Sequence, residues 1–223
     1  NLKQSYNPGP DGIPAAVYKK YNTVLGSLLL KLYRISINSC SFPDTWKLAH
    51  ITPIPKKGNR ANATNYRGIS ILCASSKIFE SIVLTYARNC IIPQQHVFFP
   101  KRSTLTNFIS LTSVITSSLD SGSQVDIIYT DFKAAFDRIP HPILLAKLSK
   151  MGFIDSHIRW LDSFLSNRSF RVKLNSCFSK SFSSKSGVPQ GSVLSTLLFV
   201  LFINDVNSVI PHDRFLCYAH DLK

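Results

Sequence analysis

Acidic residues are scarce in this chain. Twelve Asp and Glu stand against 26 Lys and Arg over 223 residues, a formal net charge of +14. That balance favours a polyanionic partner, nucleic acid or an acidic membrane surface. The shortage is uneven: residues 1–75 hold ten Lys/Arg and two acids, Asp11 and Asp44, while 76–150 and 151–223 each hold eight and five. A basic lobe that grips phosphate, beside a lobe that keeps carboxylates for metal, has this distribution. Long apolar runs are also missing. The longest, around Val193–Ile203, is too short to cross a bilayer, and no signal peptide is visible. The five cysteines (Cys40, Cys73, Cys90, Cys177, Cys217) are odd in number and lack zinc-like spacing. They read as reduced thiols of an intracellular protein. Repeats, heptads, low-complexity tracts and separating linkers are absent. At 44% hydrophobic and 17% charged residues the chain is globular, not disordered. Its length suits one large domain or two subdomains sharing a core. It starts at Asn1 without Met and stops at Lys223 inside an element, as expected of a fragment of a longer polypeptide.

The elements that are present follow from periodicity. After the rigid turn Pro8–Pro14, a helix is predicted from Pro14 to Asn38, with Leu25, Leu28, Leu29, Leu32 and Ile35 on one inward stripe. Trp46–Pro55 and Asn65–Leu72 read as an antiparallel pair with Lys56, Lys57 and Arg67 near its tip. Helices follow at Ser75–Ile92, with Ile78, Phe79, Ile82, Val83 and Tyr86 inward, and at Thr104–Leu119. Pro140–Met151 and Ile158–Leu165 are further helices. Ser169–Leu174 alternates apolar and basic residues, the mark of a half-exposed strand, and 178–186 is a hairpin return. The turn Gly187–Gly191 leads into a strongly apolar helix, Ser192–Val206. The fold class is α+β. No helix is expected to pair a Lys/Arg-rich face with an exposed apolar one, so a membrane-surface role fits poorly.

Two strands end in acid. Val125–Thr130 is rich in β-branched and aromatic residues and reads as a buried strand running into Asp131. By itself Asp131 is equally a helix N-cap or a metal ligand. Phe215–Tyr218 is a strand entering a tight turn that reaches Asp221. Adjacent in a sheet, the two carboxylates would meet and suit a hard divalent cation, Mg²⁺ above all. Beside a basic lobe, such a site implies phosphoryl or nucleotidyl transfer.

Asp131 with Ala134-Ala135-Phe136-Asp137, then Gly187-Val188-Pro189-Gln190-Gly191-Ser192-Val193-Leu194, then Tyr218-Ala219-His220-Asp221 resemble, in order, the three central palm motifs of reverse transcriptases. The non-LTR (LINE-like) retrotransposon group of the jockey type is the best match. Gly9–Pro14, Asn65–Ser70, Ser76–Glu80, Gln94–His96 and Asn204-Asp205 extend the resemblance over nearly the whole chain. It implies a right-hand polymerase: fingers in residues 1–120 with early palm elements, and palm in 121–223. A small antiparallel sheet of Val125–Thr130 and Phe215–Tyr218 would be backed by helices at 141–151 and 192–206. The second strand of the catalytic hairpin should be almost absent and the thumb missing. The resemblance further implies two Mg²⁺ ions, an RNA template, a DNA primer and deoxynucleoside triphosphates as partners, and residence in nucleus and cytoplasm. Asp131, the Phe132 carbonyl and Asp221 would hold metal. Phe136 would crowd a 2′-OH, although plain core packing also accounts for it. Arg67, assisted by Lys56, would grip the triphosphate. Gln190 would lie against the incoming nucleotide, and Gly191 and Tyr218 against template and primer, Gly191 because it permits close backbone approach.

The departures are as informative. His220 stands where the family has the first of two adjacent acids, and imidazole nitrogen is a poor ligand for Mg²⁺. Ser195-Thr196 stand where Gly-Pro is usual, and His96-Val97-Phe98 departs from His-Gly-Phe. Weak or absent polymerase activity is therefore expected, as for a decayed copy of a mobile element. The alternative function is a catalytically dead module that still binds nucleic acid.

Overall fold

The computed structural model describes residues 5–87, 103–132, 134–208, 210, 217–218 and 221–222. The Gln94–His96 motif, the predicted helix end at 88–92, and His220 lie outside the described residues.

The first helix is two. Helix α1 (Ala15–Lys20) stops at Tyr21, whose ψ of 34° leaves the helical region, and α2 (Asn22–Asn38) restarts at once. Asn22 and Thr23, both weak helix formers, sit at the break. The predicted stripe is also corrected. Leu28 and Ile35 are 61% and 58% exposed, and Leu32 is exposed as well. The buried face instead carries Leu29, Tyr33, Ser36 and Ile37. Partners decide between the two apolar faces. Tyr33 stacks on Phe79 at 4.4 Å and donates its hydroxyl hydrogen bond to the Ser75 carbonyl at 2.9 Å. Ser36 Oγ accepts from Trp160 Nε1 at 2.9 Å. The outer face of α2 thus sets exposed apolar residues beside exposed Lys31 and Arg34, contrary to the expectation for helix faces.

The antiparallel hairpin is present as β1 (Leu48–Pro55) and β2 (Tyr66–Ile71), in register from His50 opposite Ile71 to Pro55 opposite Tyr66. A 3₁₀ turn, Asp44–Trp46, precedes β1, so the strand starts later than predicted. Strand β1 also pairs in parallel with β4 (Ser169–Leu174), an arrangement that local periodicity does not encode. Two short strands, β5 (Cys177–Phe178) and β6 (Phe182–Ser183), complete this five-stranded sheet. Ala49, Leu72 and Phe170 form a small core on it.

Helices α3 (Ala74–Ala87), α5 (His141–Lys150), α6 (Asp155–Leu165) and α7 (Val193–Phe202), with Tyr33 of α2, supply most of the main core, while α4 (Thr104–Asp120) lies outside that cluster. Helix α7 ends at Phe202, and a 3₁₀ turn (Asn204–Ser208) takes the place of its predicted last turn. Within α3, Ile82 is exposed and not inward. Phe42, Phe79, Trp160 and Phe164 interlock edge to face at 5.0–5.6 Å, the Phe42–Phe164 pair being the closest. Aromatic edges against faces add stabilisation beyond the area they bury. This core joins residues on both sides of position 120, so the two predicted lobes share it.

A second sheet has three two-residue strands in the order β3 (Thr130–Asp131), β8 (Asp221–Leu222), β7 (Cys217–Tyr218), all antiparallel. The second hairpin strand, expected to be almost absent, is its middle strand. The buried strand predicted over Val125–Thr130 is not formed. The ladder takes in only Thr130 and Asp131, and Ile128 is 76% exposed. Branched and aromatic side chains favour a strand only where a second surface covers them, and the ladder is too short to provide one.

Cys73 is wholly buried, and burial, with Asp11 nearby, pushes its thiol up from 9.0 to about 11. A raised acid pKa means the unfolded chain loses this proton first, so stability is complete below pH 9 and falls as pH rises toward 11. Urea midpoints measured across that window should drop for the native sequence. In Cys73→Ala the drop should be smaller; an unchanged pH profile would contradict this assignment.

Candidate nucleic-acid interface and active site

Two of the residues singled out by sequence, Gln190 and Gly191, lie in the turn that precedes α7. Gly187 has φ of +81°, and a Cβ there would lie 2.6 Å from the Asp137 carbonyl oxygen and 2.7 Å from that of Phe136. Its N–H donates to Ile139 O at 2.8 Å, and Val188 N–H donates to Phe136 O at 2.8 Å. Gly191, at φ +124°, packs so closely on β2 that a Cβ would meet Ser70 O at 2.5 Å. Ser70 N–H donates to Gln190 O at 2.7 Å. The turn is therefore fastened on one side to the segment after Asp131 and on the other to the strand that carries Arg67.

Ser192 caps α7, its Oγ accepting from Ser195 N–H at 3.2 Å. Beneath it lies Glu80 of α3, the only glutamate in the chain and wholly buried. Its carboxylate accepts from Ser76 Oγ at 2.7 Å, Ser192 Oγ at 2.5 Å, Val193 N–H at 2.8 Å and Leu194 N–H at 3.2 Å. These bonds satisfy helix N–H groups that have no partner within the helix, and the negative charge sits at the favourable end of the helix dipole. Sequence reading used Glu80 only as part of a motif. The missed signal was an acid on the apolar face of α3, next to Phe79.

Arg168 was missed too. It is buried, donating to Phe164 O at 2.9 Å and Trp46 O at 3.4 Å and lying 4.9 Å over the Phe164 ring. Burial pulls its pKa down to about 10, and Glu80 pulls the other way. Arg168, Ser70, Gly68, Gln190, His141 and Phe182 are among the residues lining a cavity of about 340 Å³ between the sheet and the turn. His141 Nε2 donates to Gly187 O at 2.7 Å and so braces the cavity wall.

Phe136 is half-buried, its ring 5.4 Å from Phe199 of α7, so core packing accounts for part of it. Phe132 is exposed, its ring 6.0 Å from that of Phe199. Lys56 and Arg67 stand exposed on the β1–β2 hairpin, with Arg67 opposite Ile54. Residues alternate across a strand, so Arg67 leaves the sheet on the face opposite to Gly68 and Ser70, which line the cavity. Asp131 and Asp221 are directly opposed in the β3–β8 ladder, as expected if their strands are neighbours. The helix-cap reading of Asp131 fails, because the next helix starts at His141. Tyr218 lies in β7, opposite Asp221. Among the described residues no group of three His, Cys, Asp or Glu is gathered for a metal.

A short hairpin reaching an acid, antiparallel to a strand that ends in another acid and with its β7 strand against α4, is consistent with the palm of a template-dependent polymerase. Known proteins agree. The apo telomerase from Candida tropicalis truncated from its C-terminal domain is similar in fold, with a TM-score of 0.55 over 81% of this chain and 44% of that one, at 14% identity. The family model described as reverse transcriptase (RNA-dependent DNA polymerase) matches residues 54–223. The chain belongs to the reverse transcriptase family. Its relatives include the probable RNA-directed DNA polymerase from transposon BS of Drosophila melanogaster, 31% identical over 92% of this chain and 23% of that protein. The RNA-directed DNA polymerase from mobile element jockey of the same species is 30% identical over 76% of this chain and 19% of that protein. The resemblance to non-LTR retrotransposon polymerases is borne out. The chain spans about a quarter or less of the length of the curated relatives it matches here.

Two substitutions test this geometry. Gly191→Ala should cost at least about 2 kcal/mol, from the positive φ and the clash with Ser70 O, read as a lower urea midpoint. Ser195 Oγ is buried without a hydrogen-bond partner among the described residues. Ser195→Ala should therefore stabilise by about 1–2 kcal/mol, and a fall in midpoint would refute that account.

Proposed function

We propose that the chain forms the fingers (residues 1–120) and palm (121–223) of an RNA-directed DNA polymerase that adds deoxynucleotides to a primer 3′-OH along an RNA template. The observation that carries the reading is the pairing of Asp131 with Asp221, two carboxylate residues far apart in sequence and opposed in one ladder. Their oxygens, with the Phe132 carbonyl, are the donor set that a hard divalent cation prefers. Mg²⁺ bound there would neutralise triphosphate charge and acidify the primer hydroxyl. Arg67 and Lys56 would bind the triphosphate from the exposed hairpin. Phe136 would crowd the sugar, and Gln190, Gly191 and Tyr218 would contact the base pair and primer. No helix among the described residues is long and apolar enough to cross a membrane.

His220 favours a second reading, a nucleic-acid-binding remnant with little catalysis, since it puts nitrogen where the family has a carboxylate. Affinity for primer–template would then come mainly from the Lys/Arg excess and fall steeply with salt.

Primer extension on an RNA template with Mg²⁺ separates the two. It should be run on this chain and on versions extended to the length of its relatives. The unmodified sequence should extend weakly or not at all. His220→Asp should raise extension at least about tenfold by restoring an oxygen ligand, and Asp131→Ala should abolish it. Robust extension by the unmodified sequence would remove the case for the second reading. Extension that survives Asp131→Ala would sink the metal assignment.

A further inference from the structure

We infer that Glu80 is a positioning residue for the templating base: through the start of α7 it fixes where the Gln190–Gly191 turn sits against β2. The inference rests on the polymerase reading above and adds a residue to it.

A buried carboxylate is costly unless its oxygens are well satisfied. An ordinary helix start does not require one, because Ser192 already caps α7. Glu80 acts beyond the cap. It holds the Ser192 hydroxyl and the two following N–H groups. Ser70 holds Gln190 from the other side of Gly191 and contacts Gly191 itself. Ser70 and Glu80 lie on consecutive elements, the end of β2 and the middle of α3. One rigid unit therefore clamps the turn at two points, before and after its glycine. Releasing Glu80 leaves Gly187 and Val188 fastened to Ile139 and Phe136, but on the β2 side only the Ser70 bond remains, so the Gln190–Gly191 end of the turn can shift relative to the strand of Arg67. The three donors meet Oε2 and Ser76 meets Oε1. A glutamine at 80 therefore keeps an oxygen on the donors but loses the charge that strengthens those bonds, and an aspartate falls one methylene short. Glutamine weakens the clamp and aspartate breaks it.

The test reads base position without catalysis. An RNA–DNA primer–template carries 2-aminopurine at the templating position. Anisotropy gives affinity, and 2-aminopurine emission at saturation gives the environment of the base. Glu80→Gln and Glu80→Asp should bind within about twofold of the native chain, since phosphate contacts set most of the affinity. Their 2-aminopurine emission should differ from native and move toward that of Gln190→Ala. In a Gln190→Ala background, Glu80→Asp should add no further change. A core variant, Leu148→Ala, controls for loss of stability and should keep the native emission. If both Glu80 variants fail to fold, Ser192→Ala, which removes one donor to the carboxylate, takes their place with the same expected shift. Native emission in the folded clamp variants, or an equal shift in Leu148→Ala, would overturn the inference while leaving the polymerase reading intact. Failure of the native chain to bind primer–template would overturn both.

Discussion

The acceptance of four hydrogen bonds by the Glu80 carboxylate is what allows the most apolar helix of the chain to lie in its core. Helix α7 is almost entirely Leu, Val and Phe, and its residues from Leu197 to Leu201 are all buried. An apolar helix buried end to end still exposes backbone N–H groups at its start and carbonyls at its end, and in a dry core these are costly. Here each end is met by a charged side chain from another helix. Glu80 takes the N–H groups, and Lys147 of α5 donates to Phe202 O at 2.7 Å while pairing with Asp205. The signs match the helix dipole at both ends. Helices α3 and α5 are thereby tied to α7 by polar bonds as well as by packing.

With α7 fixed, everything fastened to it acquires a place. The turn before it can rest on backbone of β2 and of residues 136–139 only because Gly187 and Gly191 lack side chains. Phe136 and Phe132 are located by contact with Phe199 on the same helix. A core interaction therefore sets the geometry of the turn and of the two phenylalanines beside it.

Much of this was legible locally. The β1–β2 hairpin follows from two apolar runs around a Gly/Asn loop, and the α7 region from its apolar composition. Gly191 announced close approach, and Asp131 and Asp221 were recognisable from the motifs around them. Other features depend on partners that sequence does not specify. Both faces of α2 are apolar, and only Phe79 and Trp160, arriving later in the chain, choose between them. The run 125–129 has strand-forming residues but little ladder to join. Glu80 lay in view within a motif, yet its role exists only once α7 is laid across it. Arg168 at the head of β4 reads as a surface charge until Phe42 and Trp46 are found around it.

The parallel pairing of β1 with β4 has a consequence for the order of folding. Leu48 meets Ser169 across a large stretch of chain, and a strand closed by so distant a partner is slow to complete, because the loop entropy is lost before the contact compensates. On the ribosome the basic hairpin emerges long before β4 does. Until then β1 keeps a bare hydrogen-bonding edge, of the kind that recruits other strands. Pro53 and Pro55 lie beyond the four residues that β4 later covers. Lacking N–H groups, they blunt the rest of that edge, so a nascent chain is vulnerable to mispairing over Leu48–Ile51 alone.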